Sequence, residues 1–517
     1  MTNPAAAMRM LITYAICIPV AILVGYLLTN NMDYGTLGFL ALVLAVLCSP
    51  VFIKWHYPLM IFALGSPICC FFIMGKPQLG QVMVLLSLGI AIVERSLSTQ
   101  RRFIKAPAVT WPLIFILFVT FLTMKLTGGM GFHSLGSAEG GGKKYVYLLT
   151  GIAGFFALIS RPIPAGRRNL YIALFFLTSV MAIFGDLFPY LPAPFNYVNL
   201  LIPPTGGNSS EEFGFGSAIH RLTACSGAAG ALLAFMLVKW GVGGVFQWRH
   251  LWRPAVFLLL AMVVTLGGFR INVISWVGIL GLMALLERRR GLLVLAAIGG
   301  LVALAAIAPF AKSLPMTTQR ALSFLPLNWS AEAKMSADDS AEWRFRMWRE
   351  LWPTVPEHLL LGKGYLLQSG DIAMMGRDSS FKGAESFSAA QGGLALAGDY
   401  HSGPLSTLIP FGLWGGLGMV WLMGACLWVY IRNYRHGPPE LRTVNTFFLA
   451  SGIYGILSFI FIYGAYQNDV GNFARSVGFC IALNGGVLGP KPKTVSNPCL
   501  NPLINPRPLP AGVVQTA

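Results

Sequence analysis

Apolar stretches of close to 20 residues recur from Leu11 almost to the C-terminus, separated by short polar turns. A helix rising about 1.5 Å per residue needs about 20 residues to cross about 30 Å of hydrocarbon. This recurrence confines the chain to a bundle of membrane-spanning helices. The composition agrees: of 517 residues, 55% are apolar and 11% charged, far more apolar sequence than one soluble core requires. Spans are expected near 11 to 28, 35 to 53, 57 to 74, 79 to 93, 109 to 125, 145 to 160, 169 to 188 and 218 to 238. Six more follow near 254 to 268, 271 to 286, 291 to 310, 404 to 431, 443 to 463 and 470 to 488. The stretch 254 to 286 is divided at Gly267-Gly268, because one straight helix of that length would be about 50 Å long. The expected class is an all-α polytopic membrane protein of about 14 transmembrane helices (range 12 to 14), with one large extracytoplasmic loop containing short helices.

Lys and Arg accumulate in short loops on the cytoplasmic side of a membrane. With the N-terminus inside, 21 such residues fall in cytoplasmic segments, among them Arg101, Arg102, Arg167, Arg168 and Arg288 to Arg290. Seven fall on the other side outside the large loop: Lys76, Lys125, Lys143, Lys144, Arg221, Arg270 and Arg475. Both termini are therefore expected in the cytoplasm. The net charge of +18 reads as orientation signal and attraction to the lipid bilayer's anionic headgroups, with no nucleic-acid footprint. The first run lacks a small-residue cleavage site before Asn30 and is read as an uncleaved span. Cysteines sit mostly in expected spans, so no external disulfide framework is indicated.

The chain divides into N-terminal transmembrane helices over 1–217, further transmembrane helices over 218–310, the extracytoplasmic loop over 311–403, C-terminal transmembrane helices over 404–489, and a Pro- and Asn-rich tail over 490–517 expected to be a disordered cytoplasmic end. A connection as long as 311–403 is functional or disordered rather than a passive link. In it, Asp339-Ser340 is expected to cap a helix carrying Trp343, Met347, Leu351 and Trp348, Trp352 at spacings of four, ended by Pro353 and Pro356. Arg344, Arg346 and Arg349 among these tryptophans suit an element in the headgroup layer, as an interfacial anchor or as an anion-binding helix. The loop then turns Gly- and Ser-rich from Gly362 to Gly398, which reads equally as a mobile cover or as disorder.

Four histidines, His133, His220, His358 and His401, fall on the external side. His401 stands where the polar loop meets an apolar helix, so it is either a structural histidine at a helix start or a base between a membrane-bound donor and a water-borne acceptor. Arg221 opens the eighth span and Arg270 follows the Gly267-Gly268 turn. A guanidinium near membrane depth either snorkels or faces a cavity, and a pair of them makes a fixed fork for pyrophosphate oxygens. Asp186 and Asp469 near span ends read as helix caps or as parts of an ion path. HExxH, a Walker loop and GxGxxG after a strand are missing, and Asp338-Asp339 reads as a solvated cap, so neither a metal nor another cofactor is expected.

These residues, taken in order, resemble the O-antigen ligase and polymerase superfamily of bacterial envelope enzymes. His401-Ser402-Gly403-Pro404-Leu405, running to Gly412-Leu413-Trp414-Gly415, is similar to that family's His-Asn-x-x-Leu stretch ending in Gly-x-x-Gly. Arg344 to Trp348, then Pro356 to Gly364, resemble its Arg-x-x-x-Trp and Pro-Leu-x-Gly-x-Gly loop. Gly267-Gly268-Phe269-Arg270 resembles its Ser-x-Ser-Arg turn, and Arg221 matches the arginine opening an earlier span. Ser402, Pro410 and Gly267-Gly268-Phe269 depart from the family's Asn, acidic residue and serines respectively.

The resemblance implies a metal-independent membrane glycosyltransferase on the outer face of the bacterial inner membrane. Its donor would be an undecaprenyl-pyrophosphate-linked glycan and its acceptor a hydroxyl on lipid A core, growing polysaccharide or protein. By the same resemblance His401 would be the base, Arg221 and Arg270 would hold the pyrophosphate, and Arg344 would add a contact from the loop. The alternative is a transporter or flippase of lipid-linked saccharide, although the chain shows no duplicated halves of the kind common in transporters.

Overall fold

In the computed structural model, residues 34–73, 75–98, 102–131, 141–192, 198–203, 221–367, 398 and 400–490 are described, with isolated positions 18, 19, 21, 22, 25 and 195. Most of the expected first span, His133, His220, most of the Gly- and Ser-rich part of the loop, and the tail after residue 490 lie outside the described residues. The described residues are helices and irregular connections, with an antiparallel bridge between Cys69 and Gln78. Among the described residues, seven helical segments are long and apolar enough to cross a membrane.

The first long helix, α1 (Tyr34–Gly65), runs through the turn expected at 54 to 56. It joins the run 35 to 53 to the first part of the run 57 to 74 in 32 residues, about 48 Å at 1.5 Å per residue. Lys54 and His56 read as a cytoplasmic turn, yet His56 is buried in a helix contact. Its Nδ1 lies 2.8 Å from Ser87 Oγ and its Nε2 lies 2.6 Å from the Arg161 guanidinium. His56 thus lies beside Arg161 at the basic end of the bundle, and the helix runs through Pro50 and Pro58.

The remaining spans follow their apolar runs closely: α2 (Leu79–Leu97), α3 (Pro107–Thr127), α4 (Gly142–Leu158), α5 (Arg168–Leu177) continuing through a 3-10 turn into α6 (Ile183–Leu187), and α7 (Thr223–Val245). Helices α8 (Trp252–Thr265) and α9 (Arg270–Leu286) turn at Gly267-Gly268 as expected, with Gly268 at φ +70°. After α10 (Arg290–Ile307), the loop carries α11 (Met316–Leu322) and α12 (Ala331–Leu351). Helix α12 starts earlier than its sequence suggested: Ser330 caps it, its Oγ accepting the Ala333 N–H at 3.3 Å, and Asp339-Ser340 lies inside. It ends at Leu351 before Pro353, as expected. The chain closes with α13 (Gly403–His436), α14 (Arg442–Phe461) and α15 (Tyr466–Asn484).

The core is aromatic and aliphatic, with Tyr57, Tyr145, Phe155, Phe411 and Phe479 fully buried. A close crossing joins α4 to α15, where a Cβ added to Gly151 would stand 2.7 Å from the Gly471 Cα. Small residues allow such an approach, which substitutes for the hydrophobic drive that is absent between helices in lipid. At one end of the bundle the basic turns gather, with Arg161 on Glu94 at 2.8 Å and Arg168 on Glu440 at 3.2 Å. There Asn433, Asn445 and Asn484, all buried, tie α13, α14 and α15 together: Asn445 Nδ2 donates to Asn433 O and to Asn484 Oδ1, each at 3.0 Å. The opposite end receives the large loop.

Candidate functional site

Helix α13 is discontinuous. Pro410 removes one backbone donor and Gly412, at φ +62° and ψ −159°, leaves the helical region. The freed backbone groups are taken up by the segment Leu359–Gly364. Lys363 N–H donates to Ile409 O and Gly364 N–H to Pro410 O, both at 2.9 Å, and Leu413 N–H donates to Leu359 O at 2.6 Å. A break at membrane depth is tolerated where protein satisfies it. The Pro356–Gly364 motif is thus a stitch across the broken helix. A side chain at Gly362 would collide with the Pro410 carbonyl, and one at Gly412 with the Leu359 carbonyl. The next residue, Tyr365, continues the seam, its N–H donating to Tyr145 Oη at 3.0 Å and its hydroxyl to Gln467 Oε1 at 3.1 Å.

His401 immediately precedes this helix. Its backbone lies in the left-handed region at φ +51°, a conformation that costs of order 1–3 kcal/mol for a residue other than glycine and persists where surroundings impose it. Those surroundings are specific. The imidazole meets Trp343 of α12 edge to face, with centroids 5.5 Å apart, and Tyr463, just after α14, at 5.3 Å. The preceding Tyr400 is fully buried among Met347, Val355, Leu405 and Ile409. Its carbonyl accepts from Trp348 Nε1 at 2.8 Å, and burial pushes its phenol above the usual tyrosine range. Ser406, a turn into α13, accepts the Tyr466 N–H at 3.2 Å, which fixes the start of α15 against the start of α13.

The arginines assemble at the α7 and α9 ends. Leu222 N–H donates to Leu266 O at 3.2 Å and Ser226 Oγ donates to Val264 O at 2.7 Å, joining the start of α7 to the end of α8. Arg221 therefore lies against the turn that carries Arg270, its guanidinium 5.5 Å from the centre of the Phe269 ring. Arg270 in turn sits 3.7 Å from Asp338 on α12. Helix α12 thus touches both sides: Asp338 reaches the arginine turn and Trp343 reaches His401. Arg344 is half-buried next to Trp343 on that helix.

Several participants were not evident in sequence. Trp343 read as part of an apolar stripe and Tyr463 as the end of a span, and no local signal marks either as a neighbour of His401. Arg320, also unmarked, is 5% exposed on α11, where Thr317 abuts Gly268 and Thr318 pairs with Thr265 at 3.1 Å. The two span-end carboxylates cap helices. Asp186 accepts the Cys225 N–H at 2.8 Å and Asp469 accepts the Ala465 N–H at 2.7 Å. Among the described residues, no three His, Cys, Asp or Glu side chains converge in a way that would hold a metal ion.

A cavity of about 240 Å³ opens beside Tyr463, lined also by Tyr454, Ser458, Asp469 and Asn472. Hydroxyl and amide groups therefore lie within reach of the His401 neighbourhood. The arrangement offers an imidazole held in one orientation, fixed guanidinium groups two contacts away through α12, and polar space next to it.

Residues 254–420 match the family model described as O-antigen ligase. The matched stretch contains Arg270, Arg344 and His401, along with the broken start of α13 and its stitch; Arg221 lies before it. No curated protein matches the chain. Over residues 254–420, this membrane-spanning chain is thus similar to the O-antigen ligase family.

Proposed function

We propose that the chain is a glycosyltransferase of O-antigen ligase type. It moves a glycan from an undecaprenyl-pyrophosphate carrier to an acceptor hydroxyl on the outer face of the bacterial inner membrane. The acceptor oxygen attacks the anomeric carbon and passes its proton to the His401 imidazole. The bond from that carbon to the pyrophosphate oxygen breaks, and its electron pair leaves with the carrier. Arg221 and Arg270 lie along the departing pyrophosphate and stabilise the charge that appears on it, with Arg344 contributing from the loop. The observation that carries this reading is α12, which bears on its own surface the partners of both Arg270 and His401.

The test is transfer in proteoliposomes from an undecaprenyl-pyrophosphate-linked donor, comparing wild type with equally expressed His401→Ala and Arg270→Ala. Loss of transfer in both supports the assignment. Full turnover by His401→Ala removes the base, and flipping of lipid-linked sugar without transfer replaces the enzyme with a transporter.

A further inference from the structure

Helix α15 leaves the Tyr463 turn and, within its first three turns, forms one wall of a second cavity of about 310 Å³ between α2, α4 and the end of α1. Its polar lining consists chiefly of Gln78, Gln81, Gln467, Asn468, Asn472 and Arg475. Five carboxamides thus gather around one space, Gln467 buried, Gln81 half-buried and Gln78, Asn468 and Asn472 exposed at its mouth. Each carboxamide presents both a donor and an acceptor, the complement of a hydroxyl group. The cavity has the size of a small-ligand site, and Gly151 and Gly471 in its lining mark the close crossing of α4 and α15.

Arg475 adds a charge to this wall. Its guanidinium donates to Gly471 O at 3.2 Å, to Asn472 Oδ1 at 2.6 Å and, at 3.5 Å, to Leu64 O, all of them uncharged oxygens. Among the described residues no carboxylate lies within ion-pair distance of it. A half-buried guanidinium whose partners are all neutral keeps its charge available to an anionic group entering the cleft.

We propose that the cleft of Gln78, Gln81, Gln467, Asn468, Asn472 and Arg475 binds a saccharide that carries an oxyanion, a phosphate or a carboxylate, with the amides on its hydroxyls and Arg475 on its charge. On the transferase reading above, this is the acceptor's side of the site. The arginines are reached from His401 through Trp343 and α12, whereas the cleft is reached through Tyr463 and α15, and its residue Asn472 also lines the cavity next to Tyr463.

The experiment measures binding to the full chain in lipid nanodiscs, using glucose 1-phosphate, galacturonic acid, glucose and inorganic phosphate as probes. Both acidic sugars are expected to bind wild type more tightly than glucose or phosphate alone. Arg475→Gln should weaken them by about tenfold or more, and His401→Ala should leave them unchanged. Asn468→Ala removes an exposed side chain and is expected to fold normally and weaken both acidic sugars; it decides the matter if Arg475→Gln does not fold. Three results overturn the proposal: no binding of either acidic sugar, equal binding of glucose or of phosphate alone, or undiminished binding in the folded variants. Because the readout is binding, such a result leaves a His401-dependent transfer intact, and loss of transferase activity leaves the cleft intact.

Discussion

His401 is the residue at which backbone and side chain are constrained together. A left-handed backbone at φ +51° suits Asn better than most side chains, so His401→Asn should keep the chain's path while removing the imidazole. We expect its thermal unfolding to stay within a few degrees of wild type and transfer to fall by about 10²–10⁴, the range typical of a lost general base. Retention of transfer would assign His401 to structure alone. The Arg270–Asp338 pair is a different case, because Asp338 is 63% exposed and 3.7 Å away. Exposed pairs contribute about 0–1 kcal/mol. Asp338→Asn should therefore leave unfolding unchanged, whereas Arg270→Ala should raise the donor concentration needed for transfer. A marked loss of stability in Asp338→Asn would mean that the pair serves to dock α12.

At the scale of elements, the broken α13 and its stitch form one structure written in two distant parts of the sequence. Neither the Gly362-x-Gly364 spacing nor Pro410-Phe411-Gly412 shows in isolation that one supplies the other's hydrogen bonds. Gly412→Ala places a Cβ at φ +62° and 2.6 Å from the Leu359 carbonyl. It should destabilise the protein by more than about 1 kcal/mol and reduce transfer by displacing the start of α13. Wild-type stability in that variant would show that the break relaxes freely. At the basic end, Asn445→Leu leaves the Asn433 carbonyl and Asn484 amide short of partners. Unfolding in lipid should be easier by about 1–2 kcal/mol with transfer unaffected, since the site lies at the other end. Loss of transfer at unchanged stability would contradict that separation.

Across the whole molecule, the basic turns around Arg161 and Arg168 lie at one end and the loop with His401 at the other. The charge rule predicts that the first end faces the cytoplasm. Asp338 and Glu440, 63% and 78% exposed, mark the two ends. In intact spheroplasts, an impermeant maleimide should label Asp338→Cys at once and Glu440→Cys only after permeabilisation. The reverse pattern would invert the protein and move the proposed chemistry to the cytoplasmic face.

The sequence by itself determined the class and most of the helices, because burial in lipid requires about 20 apolar residues per crossing wherever the chain lies. It also showed the turn at Gly267-Gly268, where two glycines interrupt an apolar run too long for one helix. It misplaced local polar signals whose meaning depends on distant partners. The turn expected at 54 to 56 is helical, with His56 held by Ser87 and Arg161 at the basic end, and Asp339-Ser340 reads as a cap although Ser330 already caps the helix. Only the tertiary structure decided that Arg221 lies against the Arg270 turn, that α12 reaches both that turn and His401, and that Tyr463 faces the imidazole. Those contacts join residues far apart in the chain, and periodicity within one segment carries no information about which other segment will pack against it.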